Sequence, residues 1–128
     1  MNDSIMIVDD NDFVRSSVQI VCECAALAVT AAASGAECLR QLEAGFRGVI
    51  LMDVMMPEMD GWDTIREIAR RGLYPGNLIV MLTGMGEPGL KMEGIQEYVT
   101  DYLTKPFGPD QLIESLQYYL ILLDSVRA

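Results

Sequence analysis

Apolar and polar positions along the chain alternate between two patterns. Four short segments, at 5–8, 49–52, 78–82 and 102–104, are largely or wholly apolar. Runs this short and this rich in Ile, Val, Leu and Met suit strands buried on both faces, as in a parallel sheet. Between them the apolar residues recur at helical spacing. Val14, Val18, Val21, Cys22 and Ala25 mark a helix over 13–27. Leu39 and Leu42 mark one over 35–44, capped by Ser34 and stopped by Gly45. Trp62, Ile65, Ile68 and Ala69 mark a third over 62–71, ended by Gly72, and Leu112, Leu116, Leu120 and Leu123 stripe a last one over 110–127. A weaker strand is expected at 28–32.

The fourth helical position is the least regular. Gly86, Pro88, Gly89 and Gly94 interrupt it, and each Gly costs about 1 kcal/mol in a helix interior. A helix is expected only over 89–97, behind a loose lead-in. The order is (βα)₅, with connections long enough for crossovers. Right-handed crossovers then put helices on both faces of an α/β doubly wound parallel five-stranded sheet.

Each apolar segment ends in a residue with chemical capacity: Asp9-Asp10, Asp53, Thr83 and Lys105. In an open parallel sheet, ligands bind beyond the carboxyl ends of the strands. Three carboxylates, a hydroxyl and an ammonium would then meet on one rim. Three close carboxylates raise one another's pKa unless a cation neutralises them. An all-oxygen set of this kind suits Mg²⁺, and Mn²⁺ also fits. Lys105 is the second compensating charge. A carboxylate held between a divalent cation and a lysine, as Asp53 would be, is placed to attack phosphorus and form an acyl phosphate. Thr83 offers a hydroxyl to a phosphoryl oxygen. Taken singly, each residue has an ordinary role in a turn, a cap or on a solvated surface. Four together at equivalent strand ends make coincidence a poor account.

The length of 128 residues fits one domain, expected to span 1–128. Half the residues are apolar, which argues against disorder. No apolar stretch reaches the roughly 18 residues needed to cross a bilayer, and the start has no basic region before an apolar core, so a cytoplasmic protein is expected. The net charge of −10, with no basic cluster, excludes direct nucleic-acid binding. The three cysteines, Cys22, Cys24 and Cys38, cannot make a four-ligand zinc site in a chain without His, and are expected to be free thiols.

The segments Ile7-Val8-Asp9-Asp10, Leu51-Met52-Asp53-Val54-Met55-Met56-Pro57-Glu58-Met59-Asp60-Gly61, Met81-Leu82-Thr83-Gly84 and Asp101-Tyr102-Leu103-Thr104-Lys105-Pro106-Phe107 resemble, in combination and order, the receiver domain of two-component response regulators. The resemblance covers nearly the whole chain. It implies a flavodoxin-like fold with strand order 2-1-3-4-5. It makes Asp53 the phosphoacceptor, and gives Mg²⁺ to Asp9, Asp10, Asp53 and the backbone carbonyl of Met55. Thr83 becomes the switch hydroxyl, Tyr102 the aromatic that turns inward on activation, and Lys105 the contact to the phosphoryl group. The Lys105–Pro106 peptide is implied to be cis. The implied activity is signalling rather than turnover of an external substrate. A sensor histidine kinase or phosphotransfer protein donates the phosphoryl group, and the face of the fourth helix, fifth strand and fifth helix changes in response.

Further expectations attach to this resemblance. Met55 and Met85, two residues past Asp53 and Thr83, would hinder an in-line water and slow loss of the phosphoryl group. Tyr118, Tyr119, Ile121 and Leu122 lie around the last helix's stripe and suggest a homodimer or a docked protein target. A chain ending just after its fifth helix is expected to carry no output domain; the alternative is a receiver excised from a longer regulator. An aspartate-nucleophile phosphatase would need a second Asp where Met55 stands. A flavin module would need a phosphate loop where Asp9 and Asp10 would repel one.

Overall fold

The apolar segments of the sequence become the strands of one sheet. In a computed structural model that describes residues 4–84 and 94–127, the strands are β1 (Ser4–Val8), β2 (Ala28–Ala32), β3 (Val49–Asp53), β4 (Leu78–Thr83) and β5 (Val99–Thr104). All pairings are parallel and the order is β2-β1-β3-β4-β5. The described helices are α1 (Asp12–Cys24), α2 (Gly35–Glu43), α3 (Gly61–Arg70) and α4 (Pro109–Arg127).

Successive strand residues face opposite sides of the sheet, and this divides the core in two. Met6, Val8, Ile50, Met52, Ile79 and Met81 pack with Leu39, Leu42, Trp62, Ile65 and Ile68 from α2 and α3. Ile5, Ile7, Val49, Leu51, Val80 and Leu82 pack with Val18, Cys22, Leu112, Leu116 and Tyr119 from α1 and α4. Burial on both faces is why β1, β3 and β4 read as unbroken apolar runs. The lateral strands β2 and β5 are only partly buried, and their sequences are correspondingly mixed.

Side-chain caps set the helix starts. Asn11 accepts from the amides of Phe13 and Val14, Ser34 from Glu37 and Asp60 from Asp63. Helix α1 ends three residues before the expected 27. Ala26 takes φ +58, and the amides of Ala26 and Leu27 turn back to the carbonyls of Glu23 and Cys22. That reversal brings Leu27 against the core.

The helix expected over 89–97 is corrected at its described end; residues 85–93, and with them Met85, lie outside the described residues. Residues 94–95 form a turn and Gln96–Tyr98 a 3₁₀ turn. Gly94 has φ +86, which an α-helix cannot accommodate, and the Tyr98 amide bonds to the Ile95 carbonyl at 3.0 Å. Burial of Ile95 against the α2 and α3 side of the core fixes this geometry.

The last helix matches its expected span to one residue, but its outer face is less apolar than expected. Tyr119 is buried and Leu122 half-buried, both within the α1 and α4 core. Tyr118, Ile121 and Val126 remain exposed. Cys22 and Cys38 are buried free thiols, with burial pushing their pKa values up to about 11 and about 12; Cys24 is exposed and free. Among the described residues no helix is long and apolar enough to cross a membrane.

Candidate functional site

Parallel pairing brings the carboxyl ends of four strands level. Val8 pairs with Met52, Asp53 with Leu82 and Thr83 with Thr104. Asp9 follows β1, Asp53 closes β3, Thr83 closes β4 and Lys105 follows β5, so the residues expected to share a rim do share it. The Lys105 amide extends the β4–β5 ladder by donating to the Thr83 carbonyl at 2.7 Å. The next peptide, Lys105–Pro106, is cis.

The Lys105 ammonium lies 2.9 Å from Asp9 Oδ2 and 2.9 Å from Asp53 Oδ1. Asp9 is fully buried and Asp53 5 % exposed, while Asp10 is exposed. Carboxylate oxygens of Asp9, Asp10 and Asp53 all lie within 4.8 Å of one another. Three carboxylates and one ammonium leave the cluster short of positive charge. Burial pushes the Asp53 carboxyl up to about 6; Lys105 pulls it down by a hydrogen bond and by charge, and Asp9 and Asp10 add to the rise. Burial alone would lower the Lys105 ammonium, but its bonds to Asp53 and Asp9 hold it above its usual range. A compact, all-oxygen, under-neutralised donor set fits a hard divalent cation.

The loop after β3 is shaped by its backbone. The Val54 amide donates to the Leu82 carbonyl and the Gly61 amide to the Val54 carbonyl. Glu58 sits at φ +68 within a turn closed by the Met59 amide on the Pro57 carbonyl. A Cβ on Gly61 would stand 2.4 Å from the Asp53 carbonyl oxygen, so only glycine lets α3 begin this close to the end of β3. Met55, two residues past Asp53, exposes its side chain. Thr83 is half-buried, and the Tyr102 ring is 40 % exposed at the outer edge of the sheet.

Two contributors escape a reading of the sequence. Gly61 reads there as loop punctuation, and its steric role appears only when α3 is packed against β3. Arg15 donates to the Asp9 backbone carbonyl at 2.7 Å. The available signal was a basic residue four positions, about one helical turn, past the cap Asn11 that follows the acidic pair.

The sequence profile of the response regulator receiver domain matches residues 5–117. The C4-dicarboxylate transport transcriptional regulatory protein DctD of Rhizobium meliloti is 34 % identical over 112 residues, 88 % of this chain and 24 % of that protein. The transcriptional regulatory protein SrrA of Staphylococcus aureus is 32 % identical over 113 residues, 88 % of this chain and 46 % of that protein. This chain therefore spans about a quarter to a half of the length of these curated relatives. Among solved structures, a CheY-like receiver domain protein from Methanospirillum hungatei superposes with a TM-score of 0.92 at 46 % identity, covering 96 % of this chain and 98 % of that one. The chemotaxis protein CheY4 of Vibrio cholerae gives 0.82 at 32 % identity, covering 93 % and 99 %. The chain belongs to the response regulator receiver family, the signalling domains of two-component systems.

Proposed function

We propose that the chain receives a phosphoryl group on Asp53 from a phosphohistidine, carried by a sensor histidine kinase or a phosphotransfer protein. The observation that carries this reading is the shared Lys105 ammonium, 2.9 Å from both Asp9 and Asp53, beside the Asp10 carboxylate. Asp9, Asp10, Asp53 and the Met55 carbonyl would hold Mg²⁺, which supplies neutralisation of charge on the transferred phosphoryl oxygens.

Asp53 acts as nucleophile in its ionised form, which predominates above a pKa of about 6. One of its oxygens bonds to phosphorus as the phosphorus–nitrogen bond of the donor breaks, and the imidazole leaves. Lys105 compensates the charge gained at Asp53. Thr83, at the carboxyl end of the neighbouring strand and one position past Leu82, the register partner of Asp53, donates its hydroxyl to a phosphoryl oxygen. The exposed Tyr102 ring then turns inward, and the surface around β5 and α4 changes the partner it favours. Hydrolysis of the acyl phosphate returns the first state.

The net charge of −10 supports output through a protein target or a second copy rather than through nucleic acid. We place the domain in the cytoplasm, where such donors are exposed. A longer regulator, of which this chain is the receiver, is equally served by the same site.

Incubation with acetyl phosphate and Mg²⁺ tests the reading. A hydroxylamine-labile phosphoryl adduct is expected on the wild type, absent after chelation and absent in Asp53→Asn. An adduct that persists in Asp53→Asn would overturn it, as would a wild type that forms none with either acetyl phosphate or a phosphorylated kinase.

A further inference from the structure

Asp9 is held at each of its four polar atoms. Its amide donates to the Ala32 carbonyl at 3.1 Å. Its Oδ1 accepts from the Asn11 amide at 3.0 Å, and its Oδ2 from Lys105. Sheet, helix entry and charge cluster account for these three. The fourth bond is different: the Asp9 carbonyl accepts from Arg15 Nη1 at 2.7 Å.

Arg15 sits in α1, its side chain only 18 % exposed, and its other guanidinium nitrogen pairs with the solvent-facing carboxylate of Asp12. A positive charge beside a cation site has the wrong sign to assist it by field alone. Its value must come from geometry. The carbonyl it grips belongs to the peptide joining Asp9 to Asp10. That peptide is planar, so fixing its oxygen fixes the direction in which the chain delivers the Asp10 Cα. Asp10 is exposed, and packing does not hold it in place.

We propose that Arg15 is a positioning residue for the acidic site: by clamping the Asp9–Asp10 peptide it keeps the Asp10 carboxylate within reach of Asp9 and Asp53. The inference rests on the reading of that cluster as a Mg²⁺ site. Arginine suits the task because its planar fork reaches the carbonyl with one nitrogen while the other is anchored on Asp12. A lysine keeps the charge but offers a single shorter-reaching donor group.

The two roles open to Arg15 predict opposite signs. If it were only a nearby charge, removing it would tighten Mg²⁺ binding. As a positioning residue, removing it loosens binding, by roughly tenfold on the scale of other groups that orient metal ligands. Calorimetric titration of the full chain with MgCl₂, at a temperature where each variant is shown folded by circular dichroism, decides between them. Arg15→Met is expected to weaken Mg²⁺ binding about tenfold. Arg15→Lys is expected to weaken it severalfold despite its unchanged charge, and it answers the question alone if Arg15→Met does not fold. Unchanged or tighter binding in a folded variant overturns the proposal. A wild type that takes no Mg²⁺, or whose affinity is unaltered by Asp10→Asn, overturns instead the reading of the cluster as a Mg²⁺ site, and this inference with it.

Discussion

Tyr119 donates a 2.7 Å hydrogen bond from its hydroxyl to Asp101 Oδ2, tying the buried face of α4 to the outer edge of the sheet. The same carboxylate accepts the Tyr102 amide through Oδ1. Burial first, then Asp101, holds the Tyr119 phenol above the ordinary tyrosine range. A phenol whose pKa rises on folding contributes stability that is complete below the unfolded value, near 10, and lost at higher pH. Tyr119→Phe is expected to cost about 1 kcal/mol at pH 7, measured by urea unfolding. The wild type's advantage over Tyr119→Phe should shrink as the pH passes 10; an advantage that grows there would contradict this account.

The Asp53 carboxyl behaves in the opposite way to most surface acids. Its pKa is raised to about 6 on folding, so its protonated form is the one the fold favours. Stability from this group is complete below the unfolded carboxylate value near 4 and lost as the pH rises through 6. In chelator, Asp53→Asn is therefore expected to be more stable than the wild type at pH 8, by on the order of 2 kcal/mol, and nearly equal to it at pH 4. Denaturant midpoints at the two pH values test this. Equal differences at both would show that Asp53 is not strained by its charge.

Gly61 and Gly45 separate two reasons for a glycine. A Cβ at Gly61 meets the Asp53 carbonyl and the Met81 methyl, whereas at Gly45, with φ +110, it meets nothing within 4 Å. Gly61→Ala is expected to cost about 2–3 kcal/mol and to weaken Mg²⁺ binding, because the end of β3 must move. Gly45→Ala is expected to cost about 1 kcal/mol and leave Mg²⁺ binding alone. Thermal melts with and without MgCl₂ distinguish the two.

Met55 exposes its side chain two residues past Asp53, and under the proposed function it would flank the path of a water toward a phosphoryl group there. Met55→Asn together with Met85→Glu is expected to shorten the lifetime of the phosphorylated protein severalfold. Phosphate release after gel filtration measures it. An unchanged lifetime would reduce both methionines to packing.

Much of this was legible in the sequence because the central strands have no choice of environment. A run such as Val49-Ile50-Leu51-Met52 can be buried on both faces or not fold at all, so its end, and the residue there, could be located. Parallel pairing then brings Asp53 and Thr83 to the same end of adjacent strands, with Leu82 as the register partner of Asp53. The site elements that escaped depend on distances across the fold. Nothing local marks Gly61 as the residue that must pass under the Asp53 carbonyl, or Arg15 as a donor to Asp9. The burial of Tyr119 on the last helix is illegible for a related reason. Leu116, Leu120 and Leu123 already fill a stripe, so Tyr119 reads as surplus, but its partner Asp101 comes from β5. At the described end of the fourth helical position the reason is local: Gly94, at φ +86, cannot lie within an α-helix.

The position of Asp101 has a meaning beyond the contact with Tyr119. Strand β5 borders the sheet, and a border strand offers backbone donors to any passing chain. By taking the Tyr102 amide onto its own side chain, Asp101 removes one of those donors and puts a negative charge in its place. Backbone pairing by a neighbouring molecule is disfavoured at this one position. At that position the border presents a side-chain carboxylate where the strand would otherwise offer a backbone amide.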